Sequence, residues 1–345
     1  MIGRTQLLEC AVFLFLTSVT ISMTQAQTNS GTKRFALVLH GGAGGAPEKW
    51  SAETKAERRR SLAIALDAGV RILSTGGAAL DAVEAVVQVL EDDPMFNAGR
   101  GCVLNELGEH ELDASIMDGK TLNCGAVAGV KRVKNPIALA RRVMTDTRHV
   151  LLTSPGADEF AESLGMPVME TSYFKTPAQI DAWNAWKKRD DQAHKTGGGK
   201  AAQSEPVRYL GTVGCVAVDT YGNIAAGTST GGLMGKRWGR VGDSPIIGAG
   251  TYASNATCGV SCTGTGEEFI RHNVAADMSA RLRYTPQSLS QAAATIIDDV
   301  LPDDCGGLIA IDKDYNIVTH FNTAAMSRAS ADWTGRREIR LTHDD

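Results

Sequence analysis

Apolar and polar positions along the chain repeat with periods that identify most of its elements. Phe35 to Leu39 is a short unbroken apolar run ending in His40-Gly41-Gly42-Ala43-Gly44-Gly45. That pattern predicts a buried strand running into a glycine-rich turn. Ala52 to Leu73 and Ala78 to Leu90 carry a helical period, and Gly76-Gly77 separates them. In the second, Leu80, Val83, Val87 and Leu90 fall on one face. Phe96 to Gly101 reads as a loop, and Glu111 to Asp118 and Ala126 to Val130 as strands. Pro136 to Thr145 is a predicted helix with proline in its first turn. Pro177 to Arg189 predicts an amphipathic helix.

The pattern then breaks. Asp190 to Val207 is almost without apolar residues and reads as a flexible, solvated linker of about 190–208. Tyr209 to Asp219 follows as an apolar strand of small residues, Tyr221-Gly222-Asn223 turns the chain, and Ile224 to Ser229 returns antiparallel. Helices are predicted from Gly266 to Ala280 and from Gln287 to Val300, and a hairpin from Gly307 to Ile311 and Ile317 to His320. Strands open and close this arrangement with helices between, which favours stacked sheets flanked by helices over a doubly wound array.

The N-terminus stands apart. Arg4 precedes the apolar run Cys10 to Leu16, and Thr24-Gln25-Ala26 offers small residues for cleavage before Gln27. Residues 1–26 are therefore expected to be a secretory signal peptide, leaving 27–345 as an exported single domain, periplasmic or secreted. No later apolar run approaches the length of a membrane span, so no membrane contact is expected of the mature form.

Composition narrows the function. Lys plus Arg number 35 against 39 Asp plus Glu, a net charge of −4, which argues against nucleic-acid binding. Apolar residues at 43% and charged residues at 21% allow a sizeable core. Glycine, 37 of 345 residues, points to many tight turns and close backbone approaches. Six cysteines outside the leader are scattered, as small buried residues with at most one bridge, and Cys258-x-x-x-Cys262 is a weak metal signal. No metal site is expected from the seven dispersed histidines. The His-Glu-x-x-His, P-loop and Gly-x-Ser-x-Gly motifs are absent.

What remains is Gly211-Thr212, where a linker meets a buried strand. A threonine hydroxyl is a poor nucleophile unless a base adjoins it; cutting the chain before it makes its own α-amine that base. The amine has a pKa of about 7.7–8.0, near working pH. Thr212 alone would equally suit the start of a strand. Ser229-Thr230-Gly231-Gly232 ends the return strand, which puts Thr230 beside Thr212. Gly239-Arg240-Val241-Gly242-Asp243-Ser244-Pro245 presents a cation and an anion three residues apart, a spacing for an amino-acid zwitterion or for a surface ion pair. Ser261-Cys262-Thr263-Gly264-Thr265-Gly266-Glu267-Glu268 turns into a helix whose N–H groups suit an oxyanion, or whose threonines cap it.

Taken together, these segments resemble the plant-type L-asparaginase/isoaspartyl peptidase family of N-terminal-nucleophile hydrolases. The resemblance rests on Leu39 to Gly44, Phe96 to Gly101, Glu111 to Gly119, Gly211-Thr212-Val213-Gly214, Thr228 to Gly232, Gly239 to Pro245, Ser261 to Gly266 and Phe321-Asn322-Thr323, in family order. It implies an α/β fold, a four-layer αββα sandwich, and self-cleavage into an α chain 27–211 and a β chain 212–345. It implies Thr212 as nucleophile, Thr230 orienting its hydroxyl, Arg240 and Asp243 holding the substrate's carboxylate and amine within the Arg240-Val241-Gly242-Asp243 segment, and Thr263 and Gly264 as oxyanion hole within a Thr263-Gly264-Thr265-Gly266 binding segment. Asn97 would support the site. The Leu90 to Arg100 loop resembles the family's sodium loop, which uses main-chain carbonyls; no other cofactor is expected. The implied substrates are β-aspartyl dipeptides and L-asparagine, the implied assembly a homodimer of αβ units. The expected rivals are a glycosylasparaginase, which export favours but Gly-Thr-Val-Gly at the cleavage point does not, and an uncleaved, non-catalytic relative. The Gly-rich His40 to Gly45 turn and the Phe96 to Gly101 loop are the expected wall on the leaving-group side, without an aromatic platform, although Trp183 and Trp186 lie within reach.

Overall fold

Strands β1 (Ala36–Ala43), β2 (Leu112–Asp118), β3 (Cys124–Val130) and β4 (Leu151–Thr153) come from the first half of the chain, with helices α1 (Ala52–Ser74), α2 (Ala79–Asp92) and α3 (Pro136–Asp146) between them. This is a computed structural model that describes residues 33–195 and 211–345. The leader 1–26 and the linker beyond Lys195 lie outside the described residues. Helices α4 (Gly156–Ser163), α5 (Thr171–Phe174) and α6 (Pro177–Lys195) follow. The second half contributes β5 (Val213–Val218), β6 (Ile224–Thr230), β7 (Thr251–Ala253) and β8 (Cys258–Gly264), then α7 (Gly266–Arg271), α8 (Val274–Tyr284) and α9 (Leu289–Ala294). It ends with β9 (Gly306–Asp312), β10 (Ile317–Phe321), β11 (Ala325–Asp332) and β12 (Arg337–Thr342).

The strands form two sheets. One has eight strands in the order β12-β11-β1-β5-β6-β2-β3-β4, the other four in the order β10-β9-β8-β7. Strand side chains alternate between faces. Leu37, Leu39, Val213 and Cys215 therefore face one way, into a core with Leu62 and Leu66 of α1 and Val83 and Val87 of α2. Val38, Val216 and Ala226 face the other way, against Ile309, Ile311 and Phe321 of the small sheet. The small sheet's outer residues Val260, Cys262, Leu308 and Ala310 pack on Ala275, Met278, Ala292 and Ile296. These three cores make four layers, the αββα sandwich. Among the described residues no helix is long and apolar enough to cross a membrane.

Several expectations are corrected by this structure. The glycine-rich run after Leu39 is only partly a turn: β1 continues into it as far as Ala43, paired with β5 up to His40 and with β11 again at Ala43 across an irregularity between the two. The helix expected from Gly266 to Ala280 breaks at Asn273, which is left-handed with φ 48°, into α7 and α8. Helix α6 runs past Arg189 to Lys195, so Asp190 is not linker. Its buried carboxylate pairs with Arg237 at 2.8 Å, a tertiary bond that no periodicity encodes. Strands β7, β8, β11 and β12 were not expected as strands. The cysteines among the described residues are all free, so the single bridge allowed for them does not form there.

Candidate active site

The same alternation that builds the layers also gathers the site. In β5 the helix-facing positions are odd, so Thr212, just before the strand, points between the sheets with Gly214 and Val216. In β6 the matching positions are Ala226, Thr228 and Thr230. The register sets Val213 opposite Ser229 and Gly214 opposite Thr228, so Thr212 and Thr230 are neighbours at one end of the inter-sheet layer. The Thr212 hydroxyl donates to the Thr230 hydroxyl oxygen at 3.1 Å, and both residues are buried.

Thr230 is itself held. Its oxygen accepts from the Gly232 N–H at 3.0 Å. Asn97 clasps the same turn, donating from Nδ2 to the Gly232 carbonyl at 2.8 Å, while its Oδ1 accepts from the Val103 N–H at 2.9 Å. Gly231 N–H donates to the Asn97 carbonyl at 3.1 Å. Trp186 and Trp183 of α6 pack on this loop through Met234 and Val103, and the Trp183 indole N–H donates to the Asn105 carbonyl at 2.8 Å. They brace the Thr230 loop.

Across the layer, β8 brings Thr263 to the same point. Its hydroxyl oxygen accepts from the Ala43 N–H at 3.1 Å and stands 3.0 Å from where a Cβ on Gly211 would lie. With a lone pair so engaged, the Thr263 hydroxyl keeps its proton to donate toward a developing negative charge. Gly42, at φ 100°, passes so close that a side chain there would overlap the Gly211 carbonyl oxygen. Gly264 ends β8 and is exposed, as is Thr265. Thr265 occupies the N-cap position of α7 without a side-chain cap bond, so helix capping does not account for these threonines.

His40 was expected only as part of a wall on the leaving-group side, yet it lies directly behind Thr212. It is fully buried, its Nδ1 is 3.0 Å from the Thr212 carbonyl oxygen, and its Nε2 is 3.0 Å from the Ser261 hydroxyl. A carbonyl can only accept, so Nδ1 carries the hydrogen and Nε2 accepts from Ser261. Burial lowers the imidazole pKa to about 3, partly offset by that carbonyl, so the ring is neutral. Ser261 continues to Thr228 at 2.7 Å, and Thr228 accepts from Thr251 at 2.5 Å. The sequence signal was an even-numbered histidine in a strand whose odd residues face the helices.

Arg240 and Asp243 are brought together around Gly266, where a Cβ would lie 2.9 Å from both Arg240 Nη2 and Asp243 Oδ1. They do not form the surface ion pair. Arg240 instead donates from Nε and Nη2 to both oxygens of Glu267, each at 2.9 Å, a partner not anticipated from sequence. Burial opposes the Arg240 charge, but the Glu267 fork outweighs it and raises its pKa. Asp243 is 4% exposed and its Oδ2 has no hydrogen-bond partner. Burial raises its pKa to about 7, with its own N–H and Arg240 pulling the other way. An unsatisfied buried carboxylate beside a guanidinium has the charges to take an ammonium and a carboxylate held on one carbon. Val241 is exposed and Gly242 buried within the same loop.

Nearly all of the chain matches a described protein family: residues 33–340 fit the model described as Asparaginase. The chain belongs to the asparaginase family. It is 44% identical over 296 residues to the isoaspartyl peptidase of Salmonella typhimurium, covering 85% of this chain and 94% of that protein. It is 42% identical over 322 residues to the probable isoaspartyl peptidase/L-asparaginase 2 of Arabidopsis thaliana, covering 89% and 98%. The human isoaspartyl peptidase/L-asparaginase is 40% identical over 312 residues, covering 90% and 96%. As a member of the asparaginase family the chain is a hydrolase with a small-molecule substrate.

Proposed function

We propose that the chain cuts itself at Gly211–Thr212 and then acts as an isoaspartyl peptidase and L-asparaginase. The observation that carries the reading is the buried pair of threonine hydroxyls, 3.1 Å apart, at a Gly–Thr bond whose glycine adjoins a third threonine hydroxyl. In the first reaction the Thr212 hydroxyl attacks the Gly211 carbonyl carbon, the C–N bond breaks and an ester forms. Water then releases the Gly211 carboxylate and leaves Thr212 with a free hydroxyl and a free α-amine. His40 and Thr230 fix the residue from its carbonyl and hydroxyl ends, which supplies the positioning such an attack needs.

In the second reaction the amine takes the hydroxyl proton as Thr212 Oγ attacks the β-carbonyl carbon of an aspartyl unit. The Thr263 hydroxyl and Gly264 N–H stabilise the oxyanion. Ammonia or an amino acid leaves with a proton from the Thr212 amine, and water hydrolyses the aspartyl-threonyl ester. Arg240 and Asp243 hold the substrate's α-carboxylate and α-ammonium, and the Thr263 to Gly266 segment closes round the same half. The relatives named as isoaspartyl peptidases support this substrate class.

The Leu90–Arg100 segment, the last turn of α2 and the loop after it, suits a sodium ion, because the carbonyls of Glu91, Pro94 and Phe96 crowd towards Gly99 and Gly101 and offer neutral oxygen donors. Such an ion would brace the loop that carries Asn97 and would take no part in the chemistry. We further propose export after removal of residues 1–26, and a homodimer of αβ units.

One denaturing gel tests the reading. Purified wild-type protein should yield two fragments, and N-terminal sequencing of the smaller should begin Thr-Val-Gly. Thr212→Ala should stay whole and inactive. A cut at the same bond in the alanine variant would assign cleavage to an outside protease and sink the mechanism.

A further inference from the structure

Along the loop that carries Asn97, whose side chain holds the turn after Thr230, lies a cavity of about 320 Å³. That is room for an amino acid. Lys49, Trp50, Phe96, Asn97 and Gln179 line it, no acidic side chain does, and Arg58 of α1 reaches into it. Arg58 is only 8% exposed, yet its Nε and Nη1 have no hydrogen-bond partner. Its Nη2 reaches the Met95 carbonyl only at 3.5 Å. Its guanidinium carbon stands 5.0 Å from the Trp50 ring centroid and 6.0 Å from that of Phe96. Gln179 donates from Nε2 to the Gly101 carbonyl at 2.7 Å, while its buried Oε1 is left without a partner.

A buried guanidinium without a bound anion is costly, and two of its N–H edges are free. Burial lowers the Arg58 pKa to about 10, with Asp93 and Glu57 opposing that shift, so the group is charged at neutral pH. The free fork matches a planar carboxylate, which it can hold two-pronged. The adjoining rings suit an apolar body, and the Gln179 oxygen needs an N–H. The walls also touch the threonine site. Phe96 packs against Gly41 in β1, and Asn97 holds the turn after Thr230.

We propose that this cavity is a carboxylate site for a small apolar amino acid, either free or joined through its nitrogen to a β-aspartyl group. Arg58 takes the carboxylate, Trp50 and Phe96 the apolar body, and Gln179 Oε1 the N–H. The joined form rests on the isoaspartyl reading above; the free form does not.

Two measurements on the cleaved enzyme test it. The first is titration calorimetry with L-leucine alone, on wild type and Arg58→Gln. Leucine should bind wild type, and the variant should bind it roughly tenfold or more weakly, the usual loss for a charge-assisted hydrogen bond. The second compares kcat/KM for β-aspartyl-leucine and β-aspartyl-leucinamide, which lacks the carboxylate. If the joined form is the ligand, wild type prefers the acid by about tenfold and Arg58→Gln loses that preference. If the free amino acid is the ligand, the acid-to-amide ratio is the same in both proteins while leucine binding still depends on Arg58. The proposal is overturned when wild type shows neither leucine binding nor an acid preference, or when both survive in the variant. Thermal unfolding of Arg58→Met adds an independent readout. A binding arginine leaves Tm unchanged or raised, since a lone buried charge is removed, whereas a lowered Tm with leucine binding intact assigns Arg58 to structure. Failure of wild type to hydrolyse β-aspartyl-leucine would count against the isoaspartyl reading, and the leucine titration would still decide the cavity.

Discussion

At the scale of single residues, Arg240 and Asp243 illustrate how burial sets chemistry. Arg240 is held as a planar fork by Glu267, so its remaining N–H groups are presented in a fixed plane. Lysine cannot reproduce that geometry. Arg240→Lys should lower kcat/KM for asparagine by roughly 10–100-fold, the range for losing a charge-assisted hydrogen bond. Self-cleavage should survive, since no substrate takes part in it; unchanged kinetics would remove Arg240 from the site. Asp243 must be ionised to take an ammonium, but burial raises its pKa to about 7 in the free protein. As pH rises through 7 the carboxylate ionises, so kcat/KM should climb there. Once an ammonium is bound, the carboxylate is held ionised and its titration falls to lower pH. The rise near 7 should therefore be missing from kcat. A limb of equal midpoint in both profiles would assign the titration to another group. Asp243 also contributes a stability sign: the folded protein holds the proton more tightly than the unfolded chain, so this group costs stability as pH rises from about 4 to 7.

At the scale of elements, the site depends on how β6 is tied to its neighbours. Glu91 on α2 accepts from the Ser229 hydroxyl at 2.6 Å and the Ile137 N–H at 3.0 Å, joining α2, β6 and α3 next to Thr230. It is fully buried, and burial raises its pKa to about 8 against the pull of those hydrogen bonds. Burial therefore favours the protonated acid at neutral pH. The folded protein binds a proton that the unfolded chain has released above about pH 4.5, so stability from this group is present at low pH and is lost as pH rises to 8. Glu91→Gln keeps a neutral group of similar shape. Its Tm should vary less between pH 5 and 8 than that of wild type, measured by calorimetry at matched ionic strength. A parallel pair of curves would show that Glu91 does not carry this dependence.

At the scale of the whole molecule, the two-sheet sandwich packs the Phe96–Gly101 segment against Gly41 of β1, the two segments proposed as the leaving-group wall. Trp50, which lies between these two segments in sequence, joins Phe96 around Arg58. If the Arg58 cavity takes the leaving group, as proposed above, its cation suits one that carries a carboxylate better than a neutral sugar. Cleaved enzyme should therefore show a kcat/KM for β-aspartyl-leucine at least about tenfold above that for N-acetylglucosaminyl-asparagine. The reverse preference would make a glycosylasparaginase the better reading.

Much of this was legible in the chain itself. Gly211-Thr212, Thr230, Arg240, Asp243 and Thr263 stand out because reactive and charged side chains interrupt apolar runs at glycine-rich points. Alternation along β5 and β6 fixes which face each threonine takes, because a strand's period is two. The length of the turn between them fixes the register that makes Thr212 and Thr230 neighbours. These are local properties, and local sequence determines them. Contacts between distant segments were decided only by tertiary packing. The continuation of β1 past His40 to Ala43 follows from renewed pairing with β11 at Ala43, not from propensity. The neutral state of His40 follows from burial between two sheets, and the Glu267 fork on Arg240 from the meeting of a loop and a helix. Arg58 is one arginine in a run of three on α1, and only the packing of that helix under Trp50 and Phe96 distinguishes it. The charge, desolvation and free hydrogen-bond edges of such groups depend on what surrounds them, and their surroundings come from residues far away in the chain.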